Sequence, residues 1–216
     1  MIGILAYGSL IAHPGHEIES VLDHVIPDVE TPFPVEYVRC SKSRAGAPTL
    51  VPVPIGRGSP VRAAVLVLRE GTTHQQAMDM LYRRELHQEG NPKINYADKK
   101  QRSKEDAVVI EHLANFQGVL DVYITILKPN FTEILDANRT QEDKVKLLTR
   151  AAIESVTRET YAKGMDGIEY LADNIDAGVV TTLTRIYCQA VLDIAGNAQD
   201  LRQARSTIAQ NKGVTL

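Results

Sequence analysis

Apolar positions fall into short clustered runs up to residue 128 and into helical spacing after Pro129. Residues 2–6 form an apolar run that stops at Tyr7-Gly8, the pattern of a buried strand entering a turn. Further strands are expected over residues 35–40, 49–53, 61–68, 108–113 and 119–127. The second of these is flanked or interrupted by Pro48, Pro52 and Pro54, which suits an edge or a bulge. In the last, Val122, Ile124 and Ile126 share one face, with Tyr123 and Thr125 on the other. One helix interrupts this region. It begins near Thr72 or Thr73, either of which can cap it, runs to about Gln88, and is stopped by Gly90 and Pro92. After Pro129 the pattern predicts helices over 141–163, 167–175, 179–194 and 198–209, separated by glycines. Residues 91–106 are polar and charged and read as an exposed loop.

Composition narrows the function classes. A chain of 216 residues with a formal net charge of −3 fits one domain, or one domain with a helical extension, and buries a core without staples. No stripe of Lys and Arg with interleaved aromatics is present, so nucleic acid is not an expected partner. No apolar run is long enough to span a bilayer, and residues 1–6 do not read as a signal peptide. Cys40 and Cys188 match no metal or redox spacing and read as reduced core thiols of a cytoplasmic protein.

Two features carry candidate chemistry. The first is Tyr7-Gly8-Ser9-Leu10 at the end of the first strand. A glycine there permits positive φ, and successive backbone N–H groups in such a turn can converge on an anion. The second is an acid on an apolar face. Ala77, Met78 and Leu81 form a stripe, and Glu85 continues it one turn later. Burying a charge is costly, so Glu85 is expected to meet a cavity, a cation or a substrate. Arg84 borders the same stripe and is a candidate cation. The competing reading of each feature is structural: a plain strand-to-loop turn, and an Arg–Glu pair near a helix end.

Other chemistry is absent from the pattern. His13 and His16 are close but have no third ligand nearby, and His74, His87 and His112 are scattered, so no metal is expected. Ser9 lacks a Gly-x-Ser-x-Gly elbow. Neither phosphate-loop nor dinucleotide glycine patterns occur.

Turn and acid together resemble the γ-glutamylcyclotransferase superfamily, which includes the ChaC-like and AIG2-like groups. The resemblance is carried by Ile4-Leu5-Ala6-Tyr7-Gly8-Ser9-Leu10, then Pro48-Thr49-Leu50-Val51-Pro52, the strand over 61–68, and Leu81-Tyr82-Arg83-Arg84-Glu85. The last segment is similar to a Leu-Asp-x-x-Glu or Leu-Asp-x-Arg-Glu pattern, with Tyr82 in place of the Asp. The likeness covers roughly residues 1–128. It implies an α+β fold: a small mixed β-barrel over residues 1–130, with residues 131–216 a C-terminal helical extension packed on or beside it.

The resemblance also implies a reaction. The α-amine of a γ-glutamyl group attacks its own γ-carbonyl, giving 5-oxoproline and a released amine from glutathione, a γ-glutamyl peptide or a γ-glutamyl amine. Glu85 is the expected general base and acid. Backbone N–H groups of Gly8, Ser9 and Leu10, beside Tyr7, are expected to hold the oxyanion or the substrate carboxylate. Arg44 and Tyr123 are expected at the rim. No cofactor is required, and the helical extension offers a surface for a homo-oligomer. The alternative is a non-catalytic protein that binds a small anion or docks a partner through that extension.

Overall fold

β1 (Ile2–Ala6) lies at the centre of a five-stranded sheet in the computed structural model, which describes residues 1–97, 107–196 and 198–214. The chain divides into two compact units. The first comprises Met1–Pro32 and Val61–Lys128, and the second Phe33–Pro60 and Pro129–Leu216.

In the first unit β1 pairs antiparallel with β5 (Arg62–Leu68) and parallel with β7 (Val119–Ile126). The edges are β2 (Leu22–Glu30), on β5, and β6 (Val109–Phe116), on β7. The sheet is therefore mixed and its order is β2-β5-β1-β7-β6. No closed barrel is found among the described residues, so α+β is the fold class reached here.

β2 is absent from the sequence-based expectation. Pro27 interrupts its alternation, Asp28 takes φ 57°, and the register slips between Ile26 and Val29. Bulges and prolines are tolerated at an edge, where one side of the ladder is unpaired.

The helix α3 (His74–Glu85) covers one face of the sheet. Thr73 caps it reciprocally: its hydroxyl accepts from the Gln76 N–H, while its own N–H donates to Gln76 Oε1. Ala77, Met80 and Leu81 pack on Ile4, Ala6, Leu66, Leu68 and Ile110. The helix ends three residues before the expected Gln88, because His87 adopts φ 53°. Tyr82, the departure from the family-like pattern, is buried edge-on against Tyr96 at a centroid distance of 5.5 Å. Tyr96 also receives the Ile110 N–H at 2.9 Å, so residues 91–97 are tied to the core rather than forming a free loop. The remainder of the expected loop, 98–106, lies outside the described residues.

In the second unit β3 (Val35–Ser41) and β4 (Ala47–Pro52) form an antiparallel pair. Its helices are α4 (Gln141–Glu154), α5 (Arg158–Lys163), α6 (Gly167–Asp176), α7 (Thr184–Ile194) and α8 (Leu201–Asn211). α4 and α6 pack on β4. This revises the expected domain boundary: residues 33–60 belong with the helices, because the hairpin supplies the sheet on which they pack. The long helix expected over 141–163 is two helices. Ser155-Val156-Thr157 breaks it, with Thr157 capping the second.

Glu36 of β3 is buried in this unit. Its carboxylate accepts from the hydroxyls of Thr181 and Thr182, each at 2.7 Å, and from the Tyr37 N–H at 2.9 Å. Burial raises its pKa above the ordinary glutamate value, outweighing these hydrogen bonds, which act in the opposite direction. The folded chain thus holds this proton more tightly than the unfolded chain. Its contribution to stability is most favourable below the ordinary carboxylate pKa and is lost as pH rises through the raised value. Glu36→Gln removes the titration. The stability of wild type relative to this variant, from urea unfolding, is expected to increase as pH falls from 7 toward 5. A difference independent of pH contradicts the burial account.

Candidate functional site

The turn after β1 is built on Gly8, whose φ of 60° and ψ of −138° belong to a region occupied almost only by glycine. The Leu10 N–H closes the turn on the Tyr7 carbonyl at 3.4 Å, and a positive φ at the second position is what a type II′ turn requires. The Tyr7 hydroxyl donates to the Thr125 carbonyl of β7 at 3.3 Å, which fixes the turn against the sheet. Leu10 therefore spends its N–H within the turn. The N–H groups of Gly8 and Ser9 have no acceptor among the described residues.

The far end of α3 supplies the charged partners. Arg83 donates through Nε to both oxygens of Glu17, at 3.1 and 2.8 Å, and through Nη1 to the Ile94 carbonyl at 3.0 Å. Glu17 lies on α2 (His16–Ser20) and also accepts from the Gly90 N–H. Arg84 grips the segment just before it. Its Nε and Nη2 both donate to the His13 carbonyl, at 3.2 and 2.8 Å. Nη2 also donates to Ser9 Oγ at 3.2 Å, and Nη1 to Glu85 Oε1 at 2.9 Å. The Ser9 hydroxyl and the Glu85 carboxylate are thus held by one guanidinium. Both charged side chains are largely sheltered, with 14% and 16% of their surface exposed. Glu85 Oε2 has no donor among the described residues.

Gly15 makes this approach possible. It sits at φ 92°, and a Cβ there would collide with Glu89 Oε1 and come to 3.1 Å from Arg84 Cγ.

Sequence reasoning placed Tyr7, Gly8, Ser9, Leu10 and Glu85 at one site; of these, the structure links Ser9 and Glu85 through Arg84, while the Tyr7 hydroxyl turns to Thr125. It does not bring Tyr123 there. The Tyr123 hydroxyl shares a hydrogen bond of 2.7 Å with His74 Nδ1 at the first turn of α3. Eleven residues separate His74 from Glu85 along that helix, a rise of about 16 Å. Tyr123 is instead a core residue with a satisfied polar tip. Arg44 belongs to the second unit, where its guanidinium lies 4.9 Å from the Tyr170 ring centroid and faces the Met165 carbonyl.

The Arg83–Glu17 clamp was not anticipated from the sequence. Its signal is only Glu17 within a five-residue helix. Beside that clamp lies a cleft of about 630 Å³ lined by His16, Glu17, Arg69, Glu70, Met80 and Arg83, with Glu85 outside the lining. Among the described residues, no group of three His, Cys, Asp or Glu side chains converges on a common point.

Comparison with protein-family models, with curated proteins and with solved structures finds no match.

Gly15→Ala tests how closely the loop is held. Its positive φ and the collision with Glu89 are expected to cost ~1–3 kcal/mol, read as a lower Tm. An unchanged melting curve contradicts this close approach.

Proposed function

We propose that this chain is a γ-glutamylcyclotransferase-type enzyme, releasing 5-oxoproline from a γ-glutamyl compound in the cytoplasm. The observation that carries the reading is the Arg84 guanidinium, which holds Ser9 of the turn and Glu85 of the helix at once. These two segments are the distant parts of the sequence on which the resemblance rests. The family's closed barrel is part of the same proposal.

The chemistry needs little from the protein, because nucleophile and electrophile share one molecule. Holding the substrate folded for five-membered ring closure supplies an estimated ~7–11 kcal/mol through orientation. Glu85 Oε2 takes a proton from the substrate ammonium, and the freed amine attacks the γ-carbonyl carbon. The carbonyl π pair moves to oxygen, and the N–H groups of Gly8 and Ser9 receive that oxyanion. Glu85 then returns its proton to the amide nitrogen. The C–N bond breaks as the carbonyl re-forms, and 5-oxoproline and the amine leave. The attacking nitrogen still carries one proton more than the lactam N–H, and this second proton passes by way of Glu85 to the released amine, which leaves as an ammonium, so atoms and charge balance with no water or cofactor consumed.

Arg84 has a double part in this scheme. It holds Oε1 and so orients Oε2, while its bond to Ser9 Oγ ties the acid to the turn. A purely structural reading draws on the other half of the geometry. The two bonds from Arg84 to the His13 carbonyl make the pair a clamp between loop and helix.

Glu85→Gln separates the readings. With glutathione, γ-glutamyl dipeptides and γ-glutamyl amines as substrates, 5-oxoproline release is expected to fall by ~10²–10⁴-fold. A variant as active as wild type removes Glu85 from the mechanism. A wild type inactive on every compound, with a variant altered only in Tm, favours the clamp.

A further inference from the structure

The cyclotransferase reading brings the substrate ammonium to Glu85 and leaves the α-carboxylate without a partner, and the Arg84–Glu85 pair carries an assignment for it. We propose that the pair is the recognition site for the α-amino-acid head of the substrate, with Arg84 taking the α-carboxylate and Glu85 the α-ammonium. This inference rests on that reading for the identity of the γ-glutamyl group, but not for the recognition itself.

The first argument is spacing. Arg84 Nη1 and Glu85 Oε1 are 2.9 Å apart, the two poles of an ion pair. In an α-amino acid the ammonium nitrogen and the nearer carboxylate oxygen are separated by about 3 Å, as standard bond lengths dictate. Laid head to tail along the pair, the zwitterion places each of its charges against the opposite one.

Hydrogen-bond capacity gives the second argument. Nε and Nη2 of Arg84 are occupied by the His13 carbonyl and Ser9 Oγ, and one Nη1 proton by Glu85. The other Nη1 proton has no acceptor among the described residues, and neither does Glu85 Oε2 have a donor. One donor and one acceptor therefore remain on adjacent charged groups, matching the acceptor and donor of the ligand. Binding breaks none of the contacts that hold the loop.

The third argument is charge balance in a sheltered place. With only 14% and 16% of these side chains exposed, a ligand carrying a single charge neutralises one pole and leaves the other poorly compensated. Compounds blocked at the amine or at the α-carboxylate are rejected on that ground, which makes the pair a device of specificity. The assignment also divides the labour at the site. The α-carboxylate goes to Arg84, and the Gly8 and Ser9 N–H groups are left for the oxyanion.

The test compares L-glutamate, N-acetyl-L-glutamate and the α-carboxamide isoglutamine by isothermal titration. Wild type is expected to bind L-glutamate about 10–100-fold more tightly than either blocked compound, the effect of a lost charged hydrogen bond. Arg84→Met is expected to abolish the preference, bringing the affinities for L-glutamate and isoglutamine within about twofold of each other. Arg84→Lys, which keeps the charge and loses the planar fork, guards against a folding defect and is expected to retain part of the preference. Equal wild-type affinity for L-glutamate and isoglutamine, or no binding of L-glutamate, overturns the assignment. So does an equal loss of both ligands in a folded Arg84→Met protein. Zwitterion binding without 5-oxoproline release from any γ-glutamyl compound refutes the reaction and leaves the recognition site standing. Release that tolerates an α-carboxamide as well as an α-carboxylate does the reverse.

Discussion

A guanidinium with two grips, one on a backbone carbonyl and one on a carboxylate, is the constraint on which the site depends. Neighbouring residues on a helix do not face each other; their side chains diverge by about 100°. Arg84 and Glu85 nevertheless meet, and they do so in the last turn of α3, where the chain ahead of α2 lies alongside. Arg84 turns toward His13 and Ser9, and its remaining edge reaches the acid. Arg83 performs the parallel task for Glu17, so two consecutive arginines fasten the segment between β1 and β2 to one helix end. Desolvated charges are expensive, and their pairing seldom gives more stability than well-packed apolar side chains would. Their presence beside a strand-end turn with two unspent N–H groups is the observation on which the proposed functional reading rests.

The same geometry is what the proposed proton transfer by Glu85 rests on. A carboxylate held at one oxygen by a cation keeps its orientation without losing its second oxygen, so substrate approach needs no rearrangement of the clamp. The turn is similarly fixed: the Gly8 conformation and the Tyr7–Thr125 bond are both set by the fold. Preorganised donors of this kind act without reorganisation when charge develops. The second unit organises its polar groups differently. Glu36 accepts from two threonine hydroxyls in a core that also buries Tyr37 and Tyr187.

Local signals in the sequence were readable where one principle acted alone. The apolar run into Tyr7-Gly8 gave β1 and its turn, and Thr72-Thr73 gave the start of α3, where Thr73 is the cap. Competing local effects hid other elements. Pro27 and the left-handed Asp28 masked β2, and Ser155 with Thr157 split a helix whose apolar period continues across the break. Long-range assembly was not legible. Nothing in residues 33–60 signals that their hairpin groups with helices beyond Pro129. Glu85 stood out in the sequence by continuing an apolar stripe, and the structure sets it against Arg84. Tyr123 stood on the correct face of its strand, but a hydrogen bond to His74 at the other end of α3 claims it. Arg44 stands in the hairpin unit, where Tyr170 accounts for it.

The central claim is that turn, arginine and acid form a single ligand site, and nitrogen-edited NMR of the wild-type protein titrated with 5-oxoproline tests it most directly. The account predicts saturable shifts concentrated at the backbone amides of Gly8 and Ser9 and at the Arg84 guanidinium. Shifts confined to the cleft beside Arg69 and Arg83, or none that saturate, contradict it.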